Sequence, residues 1–332
     1  MGLTNMGNVS SIKYSRNHSI DLIKIIAMLG VISLHCNMDR LDNMVAFSLS
    51  RVAGISIPLF FMVSGYLLYE KKGDWRYSIK KILGIVRFVF LCSLVFSVIY
   101  IVYHRQFNIN LFGIFLKSFI QKGPLWMFWY FGTMCLLYML LPFLKKADKR
   151  WYYFYPKLFA CMLCVDFVVF ILTFVCRWEY NVIQSFRMWN WLTYFSLGSI
   201  ARKYPIHISD NIFVVLITAL IFVVFVYCCK SYIDGIEYFF TTPLCMIYAT
   251  LFFLKIHSLH IQNNIFISKL SGLFLPVYTM HYFVIKAFRN IVTLQYMGIW
   301  TPFFDYLAIA FITLFVCYII MQVPMSKRFF RI

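Results

Sequence analysis

The chain has 332 residues, of which 62% are hydrophobic, 20% aromatic and only 13% charged. Soluble domains are about half apolar and about a quarter charged, and the 37 Phe and 23 Tyr exceed what a soluble core of this length can bury, so the composition excludes a water-soluble globular protein. The net charge of +19, from 31 Lys and Arg against 12 Asp and Glu, would suggest nucleic acid in a soluble chain. Here the cations sit between apolar runs, as in EKKGDWRYSIKK (70–81) and KKADKRW (145–151), which reads as membrane topology with no nucleic-acid partner.

A membrane-spanning helix needs about 20 mostly apolar residues. Ten segments qualify: 20–38, 52–69, 81–103, 125–144, 154–176, 188–201, 212–229, 238–256, 270–288 and 301–323. The expected fold is therefore all-α, a polytopic integral membrane protein of about ten transmembrane helices. A single domain over 1–332 is expected, with no attached soluble domain and no cleavable signal before the first span.

The first span lies in SIDLIKIIAMLGVISLHCNMD (19–39) and carries Lys24 and His35. An ionisable residue inside a bilayer is costly, so it either snorkels outward or is used. Ser19 and Asp21 start the helix, as cap and as a favourable charge in its first turn. Asp39, four residues after His35, would share its face on a continuing helix and orient the imidazole. In the second span Arg51 stands at the entrance, followed by an expected break at Pro58 and by Ser64-Gly65-Tyr66 deep in the run. Ser-Gly in a membrane helix more often means close helix contact than chemistry. Arg51 is either an interface anchor or a clamp for a polar or anionic substrate.

Arg87 falls six residues inside the third span, behind Lys80 and Lys81; a guanidinium so placed needs an acid, a water-filled cavity or a phosphate. The stretch NINLFGIFLKSFIQ (108–121) is amphipathic and is expected to lie along the interface. GPLWMFWYFGTMCLLYMLLP (123–142) has the Trp and Tyr content of an aromatic belt. Asp166 is the only acid near the centre of a span and a candidate partner for a buried cation. The ninth span places His281 near its middle, with Lys286 and Arg289 further out. All ten cysteines lie in or at the ends of apolar runs, where free cysteine behaves as a small apolar residue; no metal site is expected. With the N-terminus inside, eighteen Lys and Arg fall in the cytoplasmic connections and ten in the others, which favours both termini in the cytoplasm.

These stretches resemble, in order and spacing, the membrane-bound acyltransferase-3 family of bacterial O-acyltransferases. Its first span carries a basic residue, ten intervening residues and a histidine, matched by Lys24 and His35, although the family usually has Arg at the first position. Its second-span pattern is matched by Arg51, Pro58, Leu59, Phe60, Phe61, Ser64, Gly65 and Tyr66. Its Trp-rich fourth span ending in Tyr-x-x-x-Pro is matched by Tyr138 and Pro142, and its aromatic-x-x-His signature by Tyr278 and His281. The likeness is strongest to short, stand-alone members such as those that acetylate enterobacterial common antigen.

The resemblance implies transfer of an acyl group, usually acetyl, from acetyl-CoA as co-substrate to a hydroxyl of a cell-surface glycan or its undecaprenyl-linked precursor. It places the protein in the bacterial inner membrane. His35 is then the candidate base or acyl carrier, with Lys24 and Asp39 beside it. Lys80, Lys81 and Arg87 would gather the donor phosphates, and Arg51, Ser64, Tyr66 and His281 would hold the acceptor or oxyanion. The competing reading is a transporter or flippase with Lys24, Asp166 and His281 along its path. The sequence shows neither the inverted repeat nor the paired broken helices that such a path would favour.

Overall fold

A computed structural model describes residues 16–37, 40–105, 108–204, 206, 211–259, 261–291 and 298–330. In chain order the helices are α1 (His18–Asn37), α2 (Met44–Val52), α3 (Ser56–Tyr69), α4 (Trp75–His104), α5 (Leu111–Ser118), α6 (Trp129–Arg150) and α7 (Phe154–Cys176). They continue with α8 (Met188–Lys203), α9 (Ile212–Cys229), α10 (Pro243–Ser258), α11 (Ile265–Ser271), α12 (Phe274–Ile291), α13 (Thr301–Ile320) and α14 (Pro324–Phe329). Among the described residues there is no strand.

Seven helical segments are long and apolar enough to cross a bilayer: His18–Asn37, Met44–Tyr69, Trp75–His104, Trp126–Arg150, Phe154–Cys176, Ile212–Cys229 and Gly298–Ile320. The other three expected spans also form helices. Two of them, α8 and α10, have only 16 residues, and the 18-residue α12 carries His281, Lys286 and Arg289. Length and composition thus mark seven candidate spans among the described residues, and the remaining three of the ten expected are shorter or more polar helices. The outer helices α4, α7, α9 and α13 bury a third or less of their apolar windows. Residues such as Val175 and Phe311 stand exposed, an arrangement that is stable only against lipid.

Capping residues set several boundaries earlier than the hydropathy pattern suggests. The Asn43 side chain accepts from Val45 and Ala46 N–H and starts α2, so Arg51 lies within a helix rather than at its entrance. Asp74 accepts from Tyr77 N–H and starts α4, which leaves Arg87 just over three turns inside instead of six residues in. The expected break in the second span falls just before Pro58, as a 3₁₀ turn over Ala53–Ile55. A proline has no N–H, and its ring opposes the carbonyl four residues back, here that of Gly54. The amphipathic stretch 108–121 contains α5, capped by Asn110.

The centre of the bundle is set by very close crossings. A Cβ at Gly65 of α3 would collide with the Phe195 carbonyl of α8, and one at Gly198 of α8 with the Met62 carbonyl of α3. Ser199 Oγ adds a bond of 3.3 Å to the Gly65 carbonyl. Small residues let the backbones meet, as is usual where helices associate in lipid; this is the close contact the Ser64-Gly65 pair suggests. Among the described residues Asp166 pairs with no cation: its Oδ2 accepts from Thr193 Oγ1 at 2.5 Å. All ten cysteines are free.

Candidate functional site

Both ends of α1 carry polar side chains that meet partners from other helices. At its head, Asn17 Oδ1 accepts from Ser19 and Ile20 N–H at 3.0 and 3.1 Å. Asp21, nearly buried, accepts from Arg16 and from Lys24 Nζ, the latter at 3.2 Å. Across from it the Tyr66 hydroxyl accepts from Asn17 Nδ2 at 3.3 Å and Arg202 Nη1 at 3.1 Å. With both acceptor positions filled, Tyr66 donates its own proton to His257 Nε2 at 3.0 Å. Arg202 is also paired with Glu70. These groups line a hollow of about 740 Å³ that includes Lys24, Tyr66, Lys71, Arg202 and His257.

Further along, Ser64 Oγ donates to the Phe60 carbonyl at 2.8 Å and lies 3.2 Å from Tyr130 OH. The Tyr130 ring centroid is 5.7 Å from that of Tyr278, whose hydroxyl donates to the Met127 carbonyl.

At the other end of α1 the His35 ring meets His281 of α12, with centroids 5.0 Å apart and a tilt of 36°. Trp126 presents its ring edge-on at 5.2 Å, and Tyr282 closes the side at 6.3 Å. His281 is 1% exposed. Its Nδ1 lies 2.8 Å from the Tyr278 carbonyl and 3.1 Å from that of Val277. Both are acceptors, so the proton sits on Nδ1 and Nε2 keeps its lone pair. That Nε2, and Nδ1 of His35, are buried and have no hydrogen-bond partner among the described residues. A buried polar atom left unpaired costs about 1–3 kcal/mol, and such atoms concentrate where a ligand completes the set. His35 follows Lys24 by eleven positions of helix, about 16 Å along the axis.

Lys24 at a hollow near one end of α1 and His35 near the other keep the basic-residue-to-histidine spacing on which the family resemblance rests. The family model of the acyltransferase domain matches residues 17–322. The chain belongs to the acyltransferase-3 family. No curated protein and no solved structure among those compared matches it.

The acyltransferase thus brings Lys24 together with Tyr66, and His35 with His281, with Ser64 between the two groups. Lys80, Lys81 and Arg87 line a different hollow, of about 1030 Å³, whose described walls all come from α4. Lys71 links the two, since it borders the first hollow and its charge acts on Lys81. Arg51 is buried with its guanidinium 4.8 Å from the Phe47 ring centroid and faces the charges of Glu237 and Asp234. Asp39 lies outside the described residues. Arg202 and His257 are not singled out in the sequence. Arg202 looks there like one more topogenic cation, and His257 follows a lysine at the end of an apolar run.

A second buried polar group lies in the connection between α7 and α8. Glu179, fully buried, accepts from Asn190 Nδ2 at 3.1 Å and Trp189 Nε1 at 3.3 Å, with Arg187 Nε at 3.7 Å. Burial raises its carboxyl from the ordinary 4.5 to about 7, against the opposing pull of Arg187 and these hydrogen bonds. Because the folded-state value is the higher one, ionisation favours unfolding. Stability is fully present below pH 4.5 and falls as the pH climbs to about 7, by on the order of 3 kcal/mol. Thermal unfolding in detergent between pH 4.5 and 7.5 should show this decline, and Glu179→Gln should flatten it. An unchanged slope in the variant would exclude Glu179 as its source.

Proposed function

We propose that the acyltransferase transfers acetyl from acetyl-CoA to a hydroxyl of a cell-surface glycan or its undecaprenyl-linked precursor, at the bacterial inner membrane. The observation that carries the reading is the pair of facing imidazoles, His35 and His281, each with a buried nitrogen unpartnered among the described residues. The donor's anionic end stays at the Lys24 end of α1, on the cytoplasmic side, and its thin pantetheine arm reaches past Ser64 and Tyr130 toward the imidazoles. His35 removes the acceptor hydroxyl's proton as the oxygen attacks the thioester carbonyl. The C–S bond then breaks and the proton passes to the departing CoA sulfur. His281 lies against His35 with its tautomer pinned by two carbonyls, so its Nε2 can accept a hydrogen bond from the acceptor or from protonated His35. Arg51, held among Phe47 and the acids at 234–237, takes no part in this scheme. Membership of the acyltransferase family leaves the transporter reading without support.

The test is direct. Purified protein in lipid nanodiscs, given acetyl-CoA labelled in the acetyl group and lipid-linked glycan from a bacterial host, should move label into the glycan fraction. Label that remains entirely in acetyl-CoA would contradict the proposal.

A further inference from the structure

The hollow at the head of α1 differs from the basic face of α4 in ways that bear on what it holds. Its walls come from the start of α1, the ends of α3, α8 and α10, and the segment after α10. A volume of about 740 Å³ is in the range of pre-formed cofactor and substrate sites. The described walls of the α4 hollow come from one helix, with Ile79 and Leu83 between the cations; a smaller hollow that shares Gly84 and Arg87 is closed by Met325, Arg328 and Phe329.

Charge narrows the choice of ligand. The walls carry Arg16, Lys24, Lys71 and Arg202 against Asp21 and Glu70, with His18 and His257 in addition. Asp21 already holds both Arg16 and Lys24, and Glu70 holds Arg202. Two positive charges remain in excess before either histidine is counted, which suits a ligand with at least two negative charges. The guanidinium of Arg202 also lies 5.1 Å over the Tyr66 ring, whose hydroxyl is bonded to Arg202 on one side and His257 on the other. Tyr66 therefore sets the spacing of an arginine and a histidine that face one cavity. An arginine is suited to a phosphate because its planar fork binds two oxygens at once.

We propose that this hollow holds the diphosphate end of a CoA-type donor, with Arg202 and His257 as its recognition residues and Glu70 as the anion the phosphate displaces. The proposal rests on the acetyl-CoA reading above and assigns that donor's place. When the donor is absent Glu70 occupies the Arg202 fork. On binding, the phosphate oxygens take over the fork and Lys24 lies beside them, at the foot of the helix that leads to His35.

The measurement is the affinity of full-length protein in nanodiscs for CoA, by calorimetry, together with thermal unfolding of each variant. Arg202→Gln should weaken CoA binding by about tenfold or more, as expected when a charge-assisted bond is lost, and His257→Gln should weaken it to a lesser degree. Glu70→Gln should bind CoA as tightly as the wild type or more so, because it removes the competing anion. A purely structural Arg202–Glu70 pair predicts the opposite: both variants lose stability alike and affect CoA equally. That result, or unaltered affinity in Arg202→Gln, would overturn the proposal while leaving acetyl-CoA as donor. Failure of the wild type to bind CoA would instead overturn the donor reading itself.

Discussion

One added methyl group at position 198 is expected to prevent the acyltransferase from reaching a stable fold. A Cβ there falls on the Met62 carbonyl oxygen of the facing helix, which is backbone and cannot rotate away; Gly65 meets the Phe195 carbonyl in the same manner. Overpacking against mobile side chains costs about 1–3 kcal/mol, and here two helices must separate instead, so about 3 kcal/mol or more is expected. The crossing also fixes the site, since α3 carries Ser64 and Tyr66 while α8 carries Arg202. Gly198→Ala should therefore lower the unfolding temperature in detergent sharply and reduce the amount of protein that accumulates in the membrane. Gly272→Ala is the comparison: a Cβ there comes no nearer than 3.2 Å to another atom and should cost far less. Equal stability of the two variants would contradict the tight-crossing account.

His281→Phe should remove acyl transfer while leaving the bundle intact. The replacement keeps a ring against His35 and Tyr278, which lie 5.0 and 6.1 Å away by centroid, and it deletes both nitrogens. The bonds of Nδ1 to the Tyr278 and Val277 carbonyls are lost, but both carbonyls belong to the preceding turn of the same helix. Loss of a proton-handling imidazole costs about 10²–10⁴ in rate. The expected result is that fall in kcat with CoA affinity unchanged, because the proposed subsite for the donor's anionic end lies at the other end of α1. A large loss of CoA affinity with kcat preserved would move His281 out of the reacting centre.

How much of this was legible in the sequence depends on whether a feature is local. Lys24 and His35 share one helix, so their separation follows from helix geometry alone, and the residues between them are apolar enough to show that helix. The apposition of His281 with His35 is a tertiary contact between α1 and α12, and no spacing along the chain reports it. A charge does not by itself mark the end of a span: Arg51 lies within the helix that begins at Met44. Asn43, a good capping residue, was the better marker, and the apolar MVAF that follows it belongs to the helix. Asp74 likewise marks the true start of α4. Arg202 escaped notice because a cation beside a lysine at the end of a span has the same appearance whether it faces solvent or a cavity. Hydropathy does not tell a full crossing from a buried apolar helix of 16 residues, so the number of spans is not legible from it alone.

The account stands on His35 as the group that handles the acceptor's proton, and its most direct test is the rate of acetyl transfer by His35→Ala at saturating acetyl-CoA. The account predicts a loss of about 100-fold or more in protein that folds and still binds CoA. Transfer at the wild-type rate by this variant would contradict it.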